Sequence, residues 1–175
     1  MLRSAAITAA LTLVAQPVAA QTGCITAPEA EAMTMVAMPE ILRQTGTVCA
    51  ARLPATSLIR RSDSNLIDRY QREADRAWPN ARGGIVKLSD PAIAPLLDSD
   101  FARGLLVSLL VPQIVGRIAV SDCAMIDRLV TLLDPLPPRN TAGIVVAALQ
   151  YLKAEKAKGA RIDVPDLPLC QAVQR

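Results

Sequence analysis

The chain of 175 residues contains no histidine. Ser–His–Asp and Cys–His catalytic sites need an imidazole, and histidine is the usual zinc ligand and a common haem ligand. Its four cysteines are also widely spaced, without the Cys-x-x-Cys pair of a zinc knuckle or a thioredoxin-like redox site. We therefore expect no triad hydrolase, no metal centre and no cofactor.

Aromatic residues are equally scarce, because Tyr70, Trp78, Phe101 and Tyr151 are the full set. Proteins that bind single-stranded nucleic acid stack bases on aromatic side chains and carry a strongly basic groove. Here the net charge is only +3, and it falls to +2 if the segment containing Arg3 is removed. We therefore expect no nucleic-acid partner.

The most apolar segment, Phe101 to Val120, is short of a membrane span. Only 13 residues separate Arg103 from Arg117, whereas a membrane-spanning helix needs about 20 apolar residues. The sequence predicts no transmembrane span in the mature chain. It predicts instead that this segment is a central buried helix, bent at Pro112.

Residues 1–20 have the pattern of a secretory signal peptide. Arg3 gives the positive start, Ala5 to Val14 the apolar stretch, and Val18-Ala19-Ala20 the small-residue cleavage site. We expect cleavage after Ala20 and a periplasmic or secreted protein. Residues 21–175 are long enough to form one helical domain with its own core.

The four cysteines, Cys24, Cys49, Cys123 and Cys170, all follow that cleavage site. An even number of cysteines in an exported chain predicts two disulfides. A helix between Cys24 and Cys49 would hold them too far apart to pair. Of the two remaining connectivities, Cys24–Cys170 with Cys49–Cys123 is favoured, because chain ends often lie close together.

Cys24 also has a competing interpretation as a lipidated cysteine, since Thr22-Gly23-Cys24 partly resembles an acylation site. Gln21 occupies the position where that motif has an aliphatic residue. The disulfide interpretation is therefore favoured.

Three features typical of helices recur along the chain: residues that cap helix ends, apolar residues at helical spacing, and prolines or glycines that end helices. They predict one all-α, disulfide-stapled bundle of five to seven helices without strands. The first helix is expected to start at a Thr26 cap, to continue with a kink through Pro39, and to end at Gly46.

A second helix is expected from a cap at Asp63 or Ser64 to Trp78, broken or bent at Pro79, with Asn80 to Leu88 as a weak continuation. Its apolar stripe consists of Leu66, Ile67, Tyr70, Ala74, Ala77 and Trp78. Its polar face places Asp68 and Arg72, and Glu73 and Arg76, at ion-pair spacing. A short helix is expected at Pro91.

The last two helices are expected to form an antiparallel hairpin around the proline-rich turn 134–140. The first of the two starts at Ser121 or Asp122, and its inward side chains are Ile126, Leu129, Val130 and Leu133. The second is capped by Asn140 or Thr141 and closed by Gly159.

Asp98 and Asp100, on either side of Ser99, are the pair of carboxylates that we consider as a candidate catalytic or ion-binding site. Capping of the following helix explains them better than acid–base catalysis or ion binding. A carboxylate-dependent hydrolase is accordingly the least favoured function.

The leading hypothesis is an exported, non-enzymatic helical module that binds another macromolecule, such as an envelope protein. Its candidate contact residues are Arg69, Arg72 and Arg76 on the second helix and Met35, which lies off the apolar stripe of the first. The alternative is a carrier of lipid or a small hydrophobic ligand, which requires a continuous apolar cavity between helices.

Overall fold

The computed structural model describes residues 23–61, 65–89, 95–97 and 100–170. Over these ranges the chain is mostly helical, with five α-helices and no strand. They are α1 (Ala27–Val48), α2 (Asn65–Leu88), α3 (Asp100–Val115), α4 (Cys123–Leu133) and α5 (Pro138–Ala157). The predicted all-α class is confirmed. Three predictions fall outside the described residues: the signal peptide, the cap at Asp63 or Ser64, and the short helix at Pro91.

The central helix is α1, which packs against α2, α3 and α5. At its first turn the Glu29 carboxylate accepts hydrogen bonds from the backbone N–H and the hydroxyl of Thr26, at 2.9 and 2.7 Å. Small and flexible residues such as Ala37 and Met38 let three neighbours approach it. It continues through Pro39 as one helix, as predicted.

The prediction that Phe101 to Val120 is the central buried helix is wrong. Helix α3 ends at Val115 and lies at the outside of the bundle, where Phe101 and Leu109 are 73% and 62% exposed. One face, which includes Leu106 and Val111, is buried. The segment is apolar on every side, but only one of its faces packs against another helix.

Two glycines let α1 and its neighbours approach closely. A Cβ on Gly46 would lie 2.2 Å from the carbonyl oxygen of Ile59, and a Cβ on Gly84 would lie 3.1 Å from the Cβ of Glu29. Gly46 is thus a packing residue inside α1, and its predicted role as the helix end is wrong. Helix α2 runs without a break through Pro79 to Leu88, so the continuation over Asn80 to Leu88 is the alternative that the structure shows.

Two disulfides join distant parts of the chain, Cys24 to Cys170 and Cys49 to Cys123. This is the favoured connectivity. Helix α1, with 22 residues, is about 33 Å long, which separates Cys24 from Cys49 as expected. The bond also occupies the Cys24 sulfur that lipidation would require. Cys49 and Cys123 are fully buried, whereas Cys24 is exposed.

The α4–α5 region departs from its prediction in three ways. Helices α4 and α5 make few close backbone contacts, so they do not form the expected tight hairpin. Leu129, expected to face inward, is exposed. Helix α5 begins at Pro138, ahead of the expected caps, and the hydroxyl of Thr141 instead accepts a buried 3.0 Å hydrogen bond from Tyr70.

The segment 160–170, called the strap below, follows the end of α5. Gly159 makes the turn with a φ of +99°, as a helix-ending glycine does. The strap then runs in a non-helical conformation back to the start of α1. There the N–H of Ile25 donates to Pro168 O at 2.8 Å, and the N–H of Cys170 donates to Ile25 O at 2.9 Å.

Among the described helices, none alone has the length and hydropathy of a membrane span. Phe101–Val115 and Val120–Leu133 meet those criteria only together, and they are bent by 84° relative to each other.

Candidate ligand-binding cleft

An apolar cleft of about 500 Å³ lies between α1, α3, α5 and the strap. Each helix contributes residues at the spacing that shares one face. These are Ala30, Met33, Thr34 and Ala37 from α1; Leu110, Gln113, Ile114 and, just past its end, Arg117 from α3; and Val145, Val146 and Leu149 from α5. Cavities of roughly 300–1,000 Å³ are typical of small-molecule sites.

The strap forms the fourth wall of this cleft. Pro165, Asp166, Leu167 and Leu169 line it, together with Ile25. The side chain of Lys153 on α5 donates a hydrogen bond to the carbonyl oxygen of Leu167. The cleft is therefore bounded by a segment whose last residues are attached to the bundle by the Cys170 disulfide and by hydrogen bonds at Leu167, Pro168 and Cys170.

The positive and negative groups around the cleft differ in how much they are exposed to solvent. The guanidinium of Arg117 lies 2.7 Å from the Asp163 carboxylate, and the Lys153 ammonium lies 3.9 Å from that of Asp166. The side chain of Arg117 is 38% exposed, whereas that of Asp163 is 80% exposed and that of Asp166 is fully exposed. The cations are thus held against the protein while the carboxylates extend into water.

Two neutral polar side chains, Thr34 and Gln113, also line the cleft. Neither side chain makes a hydrogen bond within the part of the chain that the structure describes. Thr34 is half-buried and Gln113 is exposed, so the hydroxyl and the amide are each accessible to a polar group of a ligand.

A smaller, polar depression of about 220 Å³ lies between α1, α2 and α5. Its Glu73 accepts from the Arg139 guanidinium at 2.9 Å and pairs with Arg76. The Arg139 hydrogen bond is the main reason that the pKa of Glu73 is lowered, with a smaller contribution from Arg76. A carboxylate held ionised with both oxygens engaged is suited to joining helices, not to proton transfer.

The contact residues predicted from sequence do not line the cleft. Met35 is 2% exposed and packs in the core, so the prediction that it contacts a partner from a face off the apolar stripe is wrong. The reason is that α1 is covered on several sides, and Met35 lies on one of the covered sides.

The three predicted arginines lie on α2 in different settings. Arg69 pairs with the carboxylate of Asp134 and donates to its backbone oxygen at 3.0 Å, so it joins α2 to the end of α4. Arg76 is exposed and pairs with Glu73. Arg72 is exposed, and the predicted pair with Asp68 is not formed.

Asp98 and the side chain of Asp100 lie outside the described residues, so the carboxylate pair is not placed. Within the described ranges no three acidic or cysteine side chains come together as a metal site would require.

The spacing of the cleft residues was readable in the sequence, but the cleft was not. Met33 and Ala37 lie at helical spacing on the apolar stripe of the first helix, a pattern that predicts core packing. An apolar residue facing a cavity and one facing another side chain have the same periodicity. Arg117, immediately after a helix of apolar residues, was the only available signal.

No protein-family model, no curated protein and no solved structure matches this chain.

Proposed function

We propose that this protein is an exported, non-enzymatic carrier of a small hydrophobic ligand, which it holds in the cleft between α1, α3, α5 and the strap. The observation that carries the proposal is the cleft itself, about 500 Å³ and lined mainly by aliphatic side chains. An apolar space of this size gains free energy when a nonpolar molecule replaces the water inside it. A continuous cavity of this kind is what separates a carrier from a solid helical module.

The chemistry of the walls supports binding over catalysis. The cleft has no cysteine thiol or histidine, and its one carboxylate, on Asp166, extends fully into solvent. A catalytic site pairs a nucleophile or base with a partner that tunes it. Disulfides at both ends of α1 would keep such a carrier folded in an oxidising compartment.

The test is to purify the disulfide-intact protein, extract it with organic solvent and identify bound small molecules by mass spectrometry. Binding is then measured with an environment-sensitive naphthylamine probe. Leu149→Trp, which fills the cleft, should lower probe affinity at least tenfold. Leu132→Trp makes the same change on the exposed side of α4 and should leave affinity unchanged. No probe binding, or equal binding by both variants, would contradict the proposal.

Binding to an envelope protein is the second candidate function. Apolar side chains project into solvent from α3 and α4, including Leu105, Leu109, Met125 and Leu132, and exposed apolar patches often mark protein contacts. A photo-crosslinking residue at Leu109 should then give one adduct of defined mass in cells, whereas the same residue at Lys156 should give none. The second candidate is wrong if neither position forms an adduct.

A further inference from the structure

We propose that the ligand of the cleft is a single-chain amphiphile with a carboxylate head, and that Arg117 selects that head. The inference rests on the proposed function and adds the chemical class of the ligand. Of the groups that line the cleft, Arg117 is the one cation within the described residues. It stands where the apolar wall of α3 ends.

A carboxylate already occupies the position that the ligand head would take. The Asp163 carboxylate on the strap forms an ion pair with the Arg117 guanidinium at 2.7 Å, so this guanidinium is within reach of a carboxylate. Arginine binds carboxylates through a planar fork of donors. The ion pair between Arg117 and Asp163 therefore shows that this arginine can bind a carboxylate.

The internal carboxylate is easy to displace. Asp163 is 80% exposed, and ion pairs between solvent-exposed groups contribute little to stability. The Asp163 carboxylate is already largely hydrated, so little free energy is lost when it moves away from Arg117. A carboxylate carried by a chain in the cleft would bind Arg117 with the added free energy of burying that chain.

The remaining polar lining fits the same ligand. Thr34 and Gln113 offer a hydroxyl and an amide without a partner among the described residues. Asp166, the acidic residue of the lining, is fully exposed and tied to Lys153 at 3.9 Å. Arg117 is therefore the less hydrated of the two charged groups in the lining, which favours an anionic ligand head.

The experiment compares dodecanoate with dodecanol, which have the same alkyl chain and different heads. Their affinities for the disulfide-intact protein are measured by displacement of the naphthylamine probe at low salt. We expect dodecanoate to bind about fivefold more tightly, since an ion pair to a partly exposed arginine contributes up to about 1 kcal/mol. The preference should decrease as salt is added.

Three variants locate the effect. Arg117→Gln should bring the two affinities to within about twofold of each other. Asp163→Asn removes the internal competitor and should raise the preference for dodecanoate severalfold. Arg128→Gln removes an exposed arginine of α4 that does not line the cleft, and it should change nothing. The opposite signs at Arg117 and Asp163 cannot arise from general loss of folding.

The outcomes separate this inference from the proposed function. If both ligands displace the probe equally well, or if Arg117→Gln keeps the preference, the carboxylate inference is wrong and the carrier function stands. If the probe binds neither the wild type nor the variants, both are wrong.

Discussion

Helices α2 and α3 use apolar residues in opposite ways. Helix α2 divides its surface sharply, burying Leu66, Ile67 and Tyr70 against α1 and presenting charges to solvent. Helix α3 is apolar almost all round, yet it covers only one face and leaves Phe101 and Leu109 exposed. Burial in this molecule follows the availability of a closely fitting neighbour, and hydropathy alone does not predict it.

The sharpest test of that difference is a pair of glycine substitutions. Gly46→Ala places a methyl group 2.2 Å from the Ile59 carbonyl oxygen, so we expect the free energy of unfolding to fall by about 3 kcal/mol or more. Gly104 in α3 has nothing within 4 Å of an added Cβ, so Gly104→Ala should raise it by about 0.5–1 kcal/mol. Urea denaturation measures both. Equal effects would contradict the contrast in packing.

The second test is within α3. Leu106→Ala removes a side chain that is 7% exposed and should cost about 2–3 kcal/mol. Leu109→Ala, three residues along on the solvent side, should cost less than about 0.5 kcal/mol. A large loss at Leu109 would mean that its face is covered, for instance in a dimer. Sedimentation velocity of the wild type would reveal that dimer.

The third test concerns the charged contact between α1 and α2. Glu29 lies 2.6 Å from the Lys87 ammonium, and hydrogen bonds from Lys87 and then from the Thr26 N–H lower the pKa of Glu29 from 4.5 to about 2. An unfolded chain has the ordinary pKa, so this carboxylate stabilises the fold above pH 4.5 and loses that effect as the pH falls towards 2.

Glu29→Gln should therefore lower the free energy of unfolding by about 2 kcal/mol at pH 7, and the difference from wild type should shrink between pH 4.5 and pH 2. The control is Glu40→Gln, whose partner Arg43 is exposed, and it should have little effect at any pH. Thermal melts across this pH range measure both. A Glu29→Gln deficit that persists unchanged at pH 2 would contradict the assignment.

The smallest expected effect separates two arginines of α2. Arg69 joins the helix to Asp134 through its side chain and backbone oxygen, so Arg69→Ala should cost about 1 kcal/mol. Arg72 is exposed, and Arg72→Ala should be neutral within about 0.5 kcal/mol. If the two variants unfold at the same urea concentration, the Arg69 contact contributes nothing to stability.

Predictions from the sequence were most accurate for features that depend on the residues of a single helix. The helix stop at Gly159 and the apolar stripe of α2 depend on local chemistry, and both agree with the structure. The disulfide connectivity followed from the length of a single helix and the proximity of chain ends. Such inferences need no knowledge of how helices are arranged.

The errors concern relations between elements. Gly46 has the composition of a helix end, and only the position of Ile59 reveals it as a packing residue. The exposed state of Leu129 and the buried state of Met35 both depend on which neighbours cover their helices. The cleft is the extreme case, because it is made by four segments and is encoded in none of them alone.

The two disulfides are nested, since the bond from Cys49 to Cys123 lies within the stretch closed by Cys24 and Cys170. Covalently, the stretch between Cys24 and Cys170 is a ring with a crosslink across it. A protease that cuts this ring once, for example in the loop at 50–61, yields two pieces that remain one molecule until they are reduced. A molecule cut in this way would thus keep the walls of its cleft together until its disulfides are reduced.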